Sequence, residues 1–384
     1  MKVIGIFTTT RAEYGLLSSL LDAIDKDDSL DYLLFVGGGH HLQSQGKSIN
    51  EMQRHAKKIV PFDFLLSTDS DNTLTQSLGV EFFLLSDLFM KYNFEFTCVL
   101  GDRVELLPIV QTSIVYRKPI IHIHGGEITE GAIDDQIRHM ITKASHIHFA
   151  ICEEYARNII QMGEESWRVH SVGALGIDSI TNRGVIEIAE LFKQLGLLES
   201  KPTILLTYHP VTLELTTPAL TQIENVFHSL NEFDYQVVVT APNIDQSHDD
   251  IFTIIDQQIS KNENYFYVES LGIERYQSML SYIDFVIGNS SSGILEAPFF
   301  KIPTVNIGDR QKGRIRHDSV IDTGYSIEDI SEGIEEAQNM IRMNVLKEMT
   351  YKFGDGNAAS RMTEIIKLSK VDFDMMRKKL EFPQ

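Results

Sequence analysis

Short runs of β-branched and aromatic residues alternate with longer segments of helical period along most of this chain. That alternation dictates parallel sheets covered by helices on both faces. Lys2 to Phe7 reads as a strand; past Thr8-Thr9-Thr10-Arg11, the residues Leu17, Leu20, Leu21 and Ile24 are spaced as one face of a helix. Tyr32 to Val36 reads as a second strand running into Gly37-Gly38-Gly39. Further strands are expected at Ile59 to Phe64, Phe96 to Leu100, Pro119 to His124 and His146 to Cys152. From about residue 176 a polar stretch (Asp178, Ser179, Thr181, Asn182, Arg183) precedes a helix and the alternation restarts. Strands are then expected at Thr203 to Thr207, Tyr235 to Thr240, Tyr265 to Val268, Phe285 to Ile287 and Thr304 to Ile307. Two α/β domains follow, residues 1–175 and 176–365, in keeping with a length of 384 residues. There is no repeat of fixed period, so the halves share architecture rather than a duplicated sequence.

Charge and composition narrow the partners. The 34 Lys and Arg stand against 54 Asp and Glu, a net charge of −20, which argues against nucleic acid or an anionic membrane surface as partner. An anionic ligand therefore has to be held locally. No apolar run approaches the roughly 18 residues of a membrane span, and the opening Met1 to Phe7 reads as a strand rather than a signal peptide. The two cysteines, Cys98 and Cys152, lie in apolar stretches and are expected to be buried thiols. A cytoplasmic enzyme fits.

In open parallel sheets ligands bind beyond the carboxyl ends of the strands, where loops open and helix N-termini present free N–H groups. The residues that follow each strand are polar in nearly every case. In the first half they are Arg11 with Glu13, Gly37 to Gly39 with His40, Gly101-Asp102-Arg103, and His122, His124, Gly125, Gly126 and Glu127. In the second they are His209-Pro210, Pro242-Asn243-Ile244-Asp245, Glu269, Gly288-Asn289-Ser290-Ser291-Ser292-Gly293 and Gly308-Asp309-Arg310. Gly288 to Gly293, between a strand and a short helix, suits phosphate binding; a Ser-rich helix cap is the alternative. Arg310, Lys312, Arg314 and Arg316 offer positive potential for a diphosphate or form an exposed basic loop. His122 and His124 are expected to share one face of a strand, as some metal ligands do, but no compact set of further ligands accompanies them. Asp102, Asp134, His124 and Glu127 look instead like acid/base groups. Asp134 and His139 also admit a cap or a satisfied buried polar group as readings.

Taken together, Thr10-Arg11-Ala12-Glu13-Tyr14-Gly15, Gly101-Asp102-Arg103, His124-Gly125-Gly126-Glu127, Asp134-Asp135 with Ile137-Arg138-His139, His209-Pro210-Val211-Thr212, Pro242-Asn243-Ile244-Asp245, Gly288-Asn289-Ser290-Ser291 and Gly308-Asp309-Arg310-Gln311 resemble the hydrolysing UDP-N-acetylglucosamine 2-epimerases of sialic-acid and legionaminic-acid pathways. The resemblance implies a GT-B fold: two Rossmann-like domains, an interdomain active-site cleft, and a C-terminal helix at about 366–384 packing back on the first domain. It implies a UDP-sugar substrate, neither metal nor NAD as cofactor, and a homodimer or homotetramer. By this resemblance Ser290 and Ser291 hold the diphosphate, Glu296 the ribose, and Arg11 and Arg310 lie near the phosphates. His209 and Arg103 contact UDP or sugar, Asn243 and Asp245 line the cleft, and Gly173 and Gly293 join the UDP contacts. Asp102 and Asp134 match two catalytic carboxylates. The third is often a glutamate at the place of His124, so His124 or Glu127 is the candidate here, with His209 a further catalytic candidate.

The implied chemistry begins with loss of UDP, because the C2 hydrogen of a pyranoside is not acidic until positive charge develops at C1. Elimination gives a 2-acetamidoglucal, and water addition then releases N-acetylmannosamine. The same reaction on UDP-2,4-diacetamido-2,4,6-trideoxy-glucose (UDP-N,N'-diacetylbacillosamine) is the alternative. A non-hydrolysing epimerase, a GT-B glycosyltransferase and a non-catalytic nucleotide-sugar sensor are the remaining ones.

Overall fold

The computed structural model describes residues 1–42, 48–66, 70–130, 133–182, 184–209, 217–241 and 248–381. Its first sheet is built around β1 (Lys2–Thr8), whose side chains alternate between two packed faces. Ile4 and Ile6 enter a core with Leu17, Leu20 and Ile24 of α1 (Arg11–Ile24), while Phe7 enters an aromatic core on the other side. There Phe7 stacks on Phe35 at a ring-centroid distance of 4.4 Å and meets the edge of Phe94. Burial on both faces is why these strands read as unbroken apolar runs. The chain continues through β2 (Leu30–Gly37), β3 (Ile59–Phe62), α2 (Asp71–Lys91), β4 (Phe96–Leu100), α3 (Leu106–Val115), β5 (Ile120–Ile123), α4 (Asp134–Ala144), β6 (Ile147–Ala150), α5 (Glu153–Gln161), β7 (Val169–Ser171) and α6 (Leu175–Asn182). All pairings are parallel, in the order β3-β2-β1-β4-β5-β6-β7.

The second sheet repeats the plan with α7 (Ile188–Leu195), β8 (Thr203–Thr207), α8 (Ala219–Leu230), β9 (Gln236–Thr240), α9 (His248–Lys261), β10 (Tyr265–Val268), α10 (Gly272–Leu280), β11 (Phe285–Gly288), α11 (Ser291–Leu295), β12 (Thr304–Ile307), β13 (Val320–Thr323) and α12 (Ile327–Met343). Its order is β10-β9-β8-β11-β12-β13, again parallel. The strand order reverses at β1/β4 in one sheet and at β8/β11 in the other, the two places where ligand loops open.

By compactness the chain divides into one unit of Met1–Glu127, Ile133–Asn182 and Phe353–Gln384, and a second of Ile128–Ala132 and Arg183–Lys352. The tail belongs to the first unit through α13 (Ala358–Leu368) and the short α14 (Phe373–Met376). No single helix fills the expected 366–384: α13 starts earlier and ends at Leu368, and beyond it only Phe373–Met376 is helical among the described residues. The start signal of α13 is not local: the Asp178 carboxylate, on α6, accepts from the N–H groups of Ala358 (2.9 Å) and Ala359 (2.6 Å). Asp178 is 2% exposed, so what reads as a polar linker is a buried helix cap. The edge strands β7 and β13 went unpredicted; they are three and four residues long, too short to show a period. Cys98 and Cys152 are buried free thiols, their pKa values pushed up to about 12 by burial. Among the described residues no helix is long and apolar enough to cross a membrane.

Candidate active site

At the carboxyl end of the first sheet, the chain leaves β1 into a capping box. Thr10 Oγ1 accepts from the Glu13 N–H (3.4 Å), and Glu13 Oε2 accepts from the N–H groups of Thr9 (2.7 Å) and Thr10 (3.0 Å). This fixes Arg11 as the first helical residue, exposed at the sheet's end. Burial raises the Glu13 carboxyl to about 7. Beyond β4, Asp102 and Arg103 follow Gly101. Arg103 is exposed and its Nη2 pairs with the buried Glu105 at 3.0 Å.

Arg138, on α4, gathers this region. Its side chain is 2% exposed, and a guanidinium so desolvated needs full partnering. Nη2 pairs with Asp102 Oδ2, and Nη1 donates to Asp135 Oδ1 (3.0 Å) and to the Glu127 carbonyl (2.9 Å). Asp134 opens α4 beside it; burial first, and then the Asp102 charge, raises its carboxyl above the usual range. Asp134 is not the helix cap, a place Ile133 takes without a side-chain bond. His139 Nε2 lies 3.3 Å from Asp135 Oδ2 and remains substantially exposed.

The expectation that His122 and His124 share one face is corrected. β5 ends at Ile123, and His124 adopts φ +67, so the two-residue period stops before it. His122 stays in the interior, bonded to the Gly101 carbonyl (2.8 Å) and Thr142 Oγ1 (3.2 Å), and burial pushes its pKa down to about 3. His124 leaves the strand's alternation, and its Nδ1 lies 2.9 Å from Glu127 Oε1. Both are buried, with His124 in a backbone conformation that a non-glycine residue holds only at a cost. Among the described residues no three His, Cys, Asp or Glu side chains are grouped to hold a metal ion.

At the carboxyl end of the second sheet the organiser is Asn289, fully buried. The His209 N–H donates to Asn289 Oδ1 (2.7 Å), and Asn289 Nδ2 donates to the His209 carbonyl (2.8 Å). The Asn289 carbonyl in turn accepts from Arg310 Nη1 (3.1 Å) and Gln311 Nε2 (3.0 Å). One residue thus ties the ends of β8, β11 and β12. Gly288 makes the approach possible: its φ is +131, and a Cβ there would sit 2.0 Å from the Thr207 carbonyl oxygen. Ser290 caps α11, accepting from the Ser292 N–H at 3.4 Å, and Tyr276 donates to Ser292 Oγ at 2.5 Å. Burial, and then the Arg310 charge, push His209 down to about 3, so its imidazole is neutral at pH 7. Burial raises the Glu296 carboxyl to about 7.

Not every sequence candidate joins these clusters. The basic run is no single patch, because Arg316 Nε pairs with Asp322 (3.0 Å) and Lys312 Nζ lies 3.5 Å from Asp309. Gly293 is buried against Thr304, and Gly173, at φ +100, packs on the backbone of Gly354. Asn243 and Asp245 lie outside the described residues. Arg138 and Asn289 stand in the quoted motifs yet were given no role of their own; the i, i+3 spacing of Asp135 and Arg138 was the available signal for the first.

A profile of the UDP-N-acetylglucosamine 2-epimerase family matches residues 22–367. A Campylobacter jejuni protein named GDP/UDP-N,N'-diacetylbacillosamine 2-epimerase (hydrolyzing) is 34% identical over 88% of each chain. The Escherichia coli polysialic acid biosynthesis protein P7 is 32% identical over 96% of this chain and 94% of its own. Among solved structures, the S. aureus MnaA–UDP co-structure superposes with a TM-score of 0.79 at 17% identity, over 100% of both chains. The fold is thereby GT-B, with two Rossmann-like parallel-sheet units. With most of its length matched, the chain belongs to the UDP-N-acetylglucosamine 2-epimerase family and is an enzyme of that class.

Proposed function

We propose that this enzyme is a hydrolysing 2-epimerase of a UDP-linked 2-acetamido sugar, releasing UDP and the free C2-inverted sugar. The observation that carries the reading is the contrast between two neighbouring aspartates. Asp102 is ion-paired with the buried Arg138, whereas Asp134 has its carboxyl raised by burial and by Asp102. An ion-paired carboxylate beside one whose protonated form burial favours suits a division between base and acid.

In this mechanism the bond from C1 to the UDP oxygen breaks first, and its electron pair leaves with UDP. The Asp102 carboxylate takes the C2 proton, and the C–H pair becomes the C1–C2 double bond of a 2-acetamidoglucal. A proton then reaches C2 from the opposite face, from Asp134 or from the His124–Glu127 pair, and water adds its hydroxyl to C1; the proton shed by that water reprotonates the C2 donor, and the proton held by Asp102 leaves to solvent with the release of UDP. Ser290, Ser291, Arg310 and Arg11 stabilise the departing diphosphate; Glu296 holds the ribose and the neutral His209 hydrogen-bonds UDP. No metal or NAD takes part, and the working form is a homo-oligomer.

UDP-N,N'-diacetylbacillosamine is the favoured substrate, on the strength of the Campylobacter relative's name and 34% identity. UDP-N-acetylglucosamine, favoured by the family profile's description, is the second reading, with N-acetylmannosamine as product. The test is incubation with each donor in deuterated solvent and NMR of the released sugar. Free sugar of inverted configuration, deuterated at C2, supports hydrolysis. A UDP-linked epimer makes the enzyme non-hydrolysing, and no turnover of either donor ends the proposal.

A further inference from the structure

We propose that Arg138 is a positioning residue for epimerisation, and that Asp135 is its anchor: the guanidinium, braced by Asp135 and the Glu127 carbonyl, fixes the Asp102 carboxylate where it accepts the C2 proton. The proposal rests on the reading of Asp102 as that base.

Three loop ends meet at one side chain. Asp102 follows β4, Glu127 follows β5, and Asp135 lies in the first turn of α4. Arg138 reaches all three from within α4, through two nitrogens of a planar fork. The comparison with Arg168, which is equally buried, separates this from a mere tie. Arg168 donates to the backbone carbonyls of His146, Asp374, Met375 and Arg377 and pairs with Glu165, clipping the tail to its unit. Arg138 spends its second nitrogen on a carboxylate whose side chain is still 24% exposed. A buried cation holding a partly open anion is the arrangement for pre-orienting a reactive group, whose rotamer is then fixed before substrate arrives. Asp135 matters because it supplies the charged acceptor for Nη1 beside the Glu127 carbonyl, and its loss loosens the fork. Lysine carries the charge but cannot span three acceptors in one plane.

The experiment uses the full chain and whichever UDP-sugar the wild type turns over, comparing Arg138→Lys, Asp135→Ala and Asp135→Asn by kcat, KM, UDP affinity and thermal midpoint. Arg138→Lys is expected to lower kcat about 100-fold and Asp135→Ala about 10- to 30-fold, with KM and the UDP Kd within about threefold of wild type. Asp135→Asn, whose amide oxygen still accepts from Nη1, should recover kcat to within about fivefold of wild type. Should Arg138→Lys fail to fold, the Asp135 pair carries the test alone. Asp135→Ala with kcat within about threefold of wild type overturns the proposal even if its midpoint drops, since that is the signature of a purely structural tie. So does a rise in KM that accounts for the whole loss. A wild type inactive on both donors overturns the function itself, and the proposal with it; an active wild type with an unaffected Asp135→Ala overturns the positioning role only.

Discussion

Replacing Asn289 tests how the second sheet's loops are held. Asn289→Ala removes two hydrogen bonds, of 2.7 and 2.8 Å, and strands the buried N–H and carbonyl of His209. Each orphaned backbone group costs about 1–3 kcal/mol, so the unit should lose roughly 2–5 kcal/mol. For a domain of this size that lowers the midpoint by roughly 5–15 °C. Asn289→Asp is sharper, because it keeps the acceptor for the His209 N–H but sets an anionic oxygen against the His209 carbonyl. It also adds negative charge beside the proposed diphosphate site. UDP binding should weaken by about 1–2 kcal/mol, or 5- to 30-fold, in Asn289→Ala and by more in Asn289→Asp. Calorimetric titration with UDP, paired with a thermal melt, reads both numbers. Wild-type UDP affinity in Asn289→Asp would refute the reasoning, since the His209 loop would then owe nothing to Asn289.

Other outcomes are accessible by routine assays. Asp102→Asn should stop turnover while leaving UDP affinity largely intact; near wild-type rates of UDP release would remove Asp102 from the mechanism. His122 is held neutral by burial down to about pH 3, whereas in the unfolded chain it titrates near 6.5. Its share of stability is complete above about 6.5 and is lost as the pH falls from there toward 3, by up to about 1.4 kcal/mol per pH unit. Glu13 and Glu296, raised to about 7, favour the folded state as the pH falls, so the histidine is read as the difference between wild type and His122→Asn in urea titrations at pH 7.5 and 5. An unchanged difference would show that His122 does not titrate on unfolding. Gly288→Ala drives a methyl into the Thr207 carbonyl and should cost at least about 3 kcal/mol; a denaturation midpoint equal to wild type would contradict the backbone geometry.

The strands of both sheets were legible because double-sided burial leaves a strong apolar signature, as in β1 and β8. The polar residues at their ends were legible for the same reason, since they interrupt that signature. What escaped was whatever depends on pairing across distance. Arg138 is one charged residue of a helix until the loops after β4 and β5 are brought to it. Asp178 looks like linker until Ala358 and Ala359, 180 residues downstream, supply the N–H groups it caps. The misplaced His124 has another cause: alternation holds only while the backbone is extended, and a single left-handed residue cancels it.

Because α13 lies in the core with α1, and Asp178 and Arg168 wait for partners that come after residue 353, the N-terminal half cannot close until Met375 has been made. The second unit has no such dependence, for all its strands and helices are synthesised by Lys352. On the ribosome the later-encoded body can therefore mature first. A truncation after Lys352 would spare it and leave the earlier-encoded one unfinished.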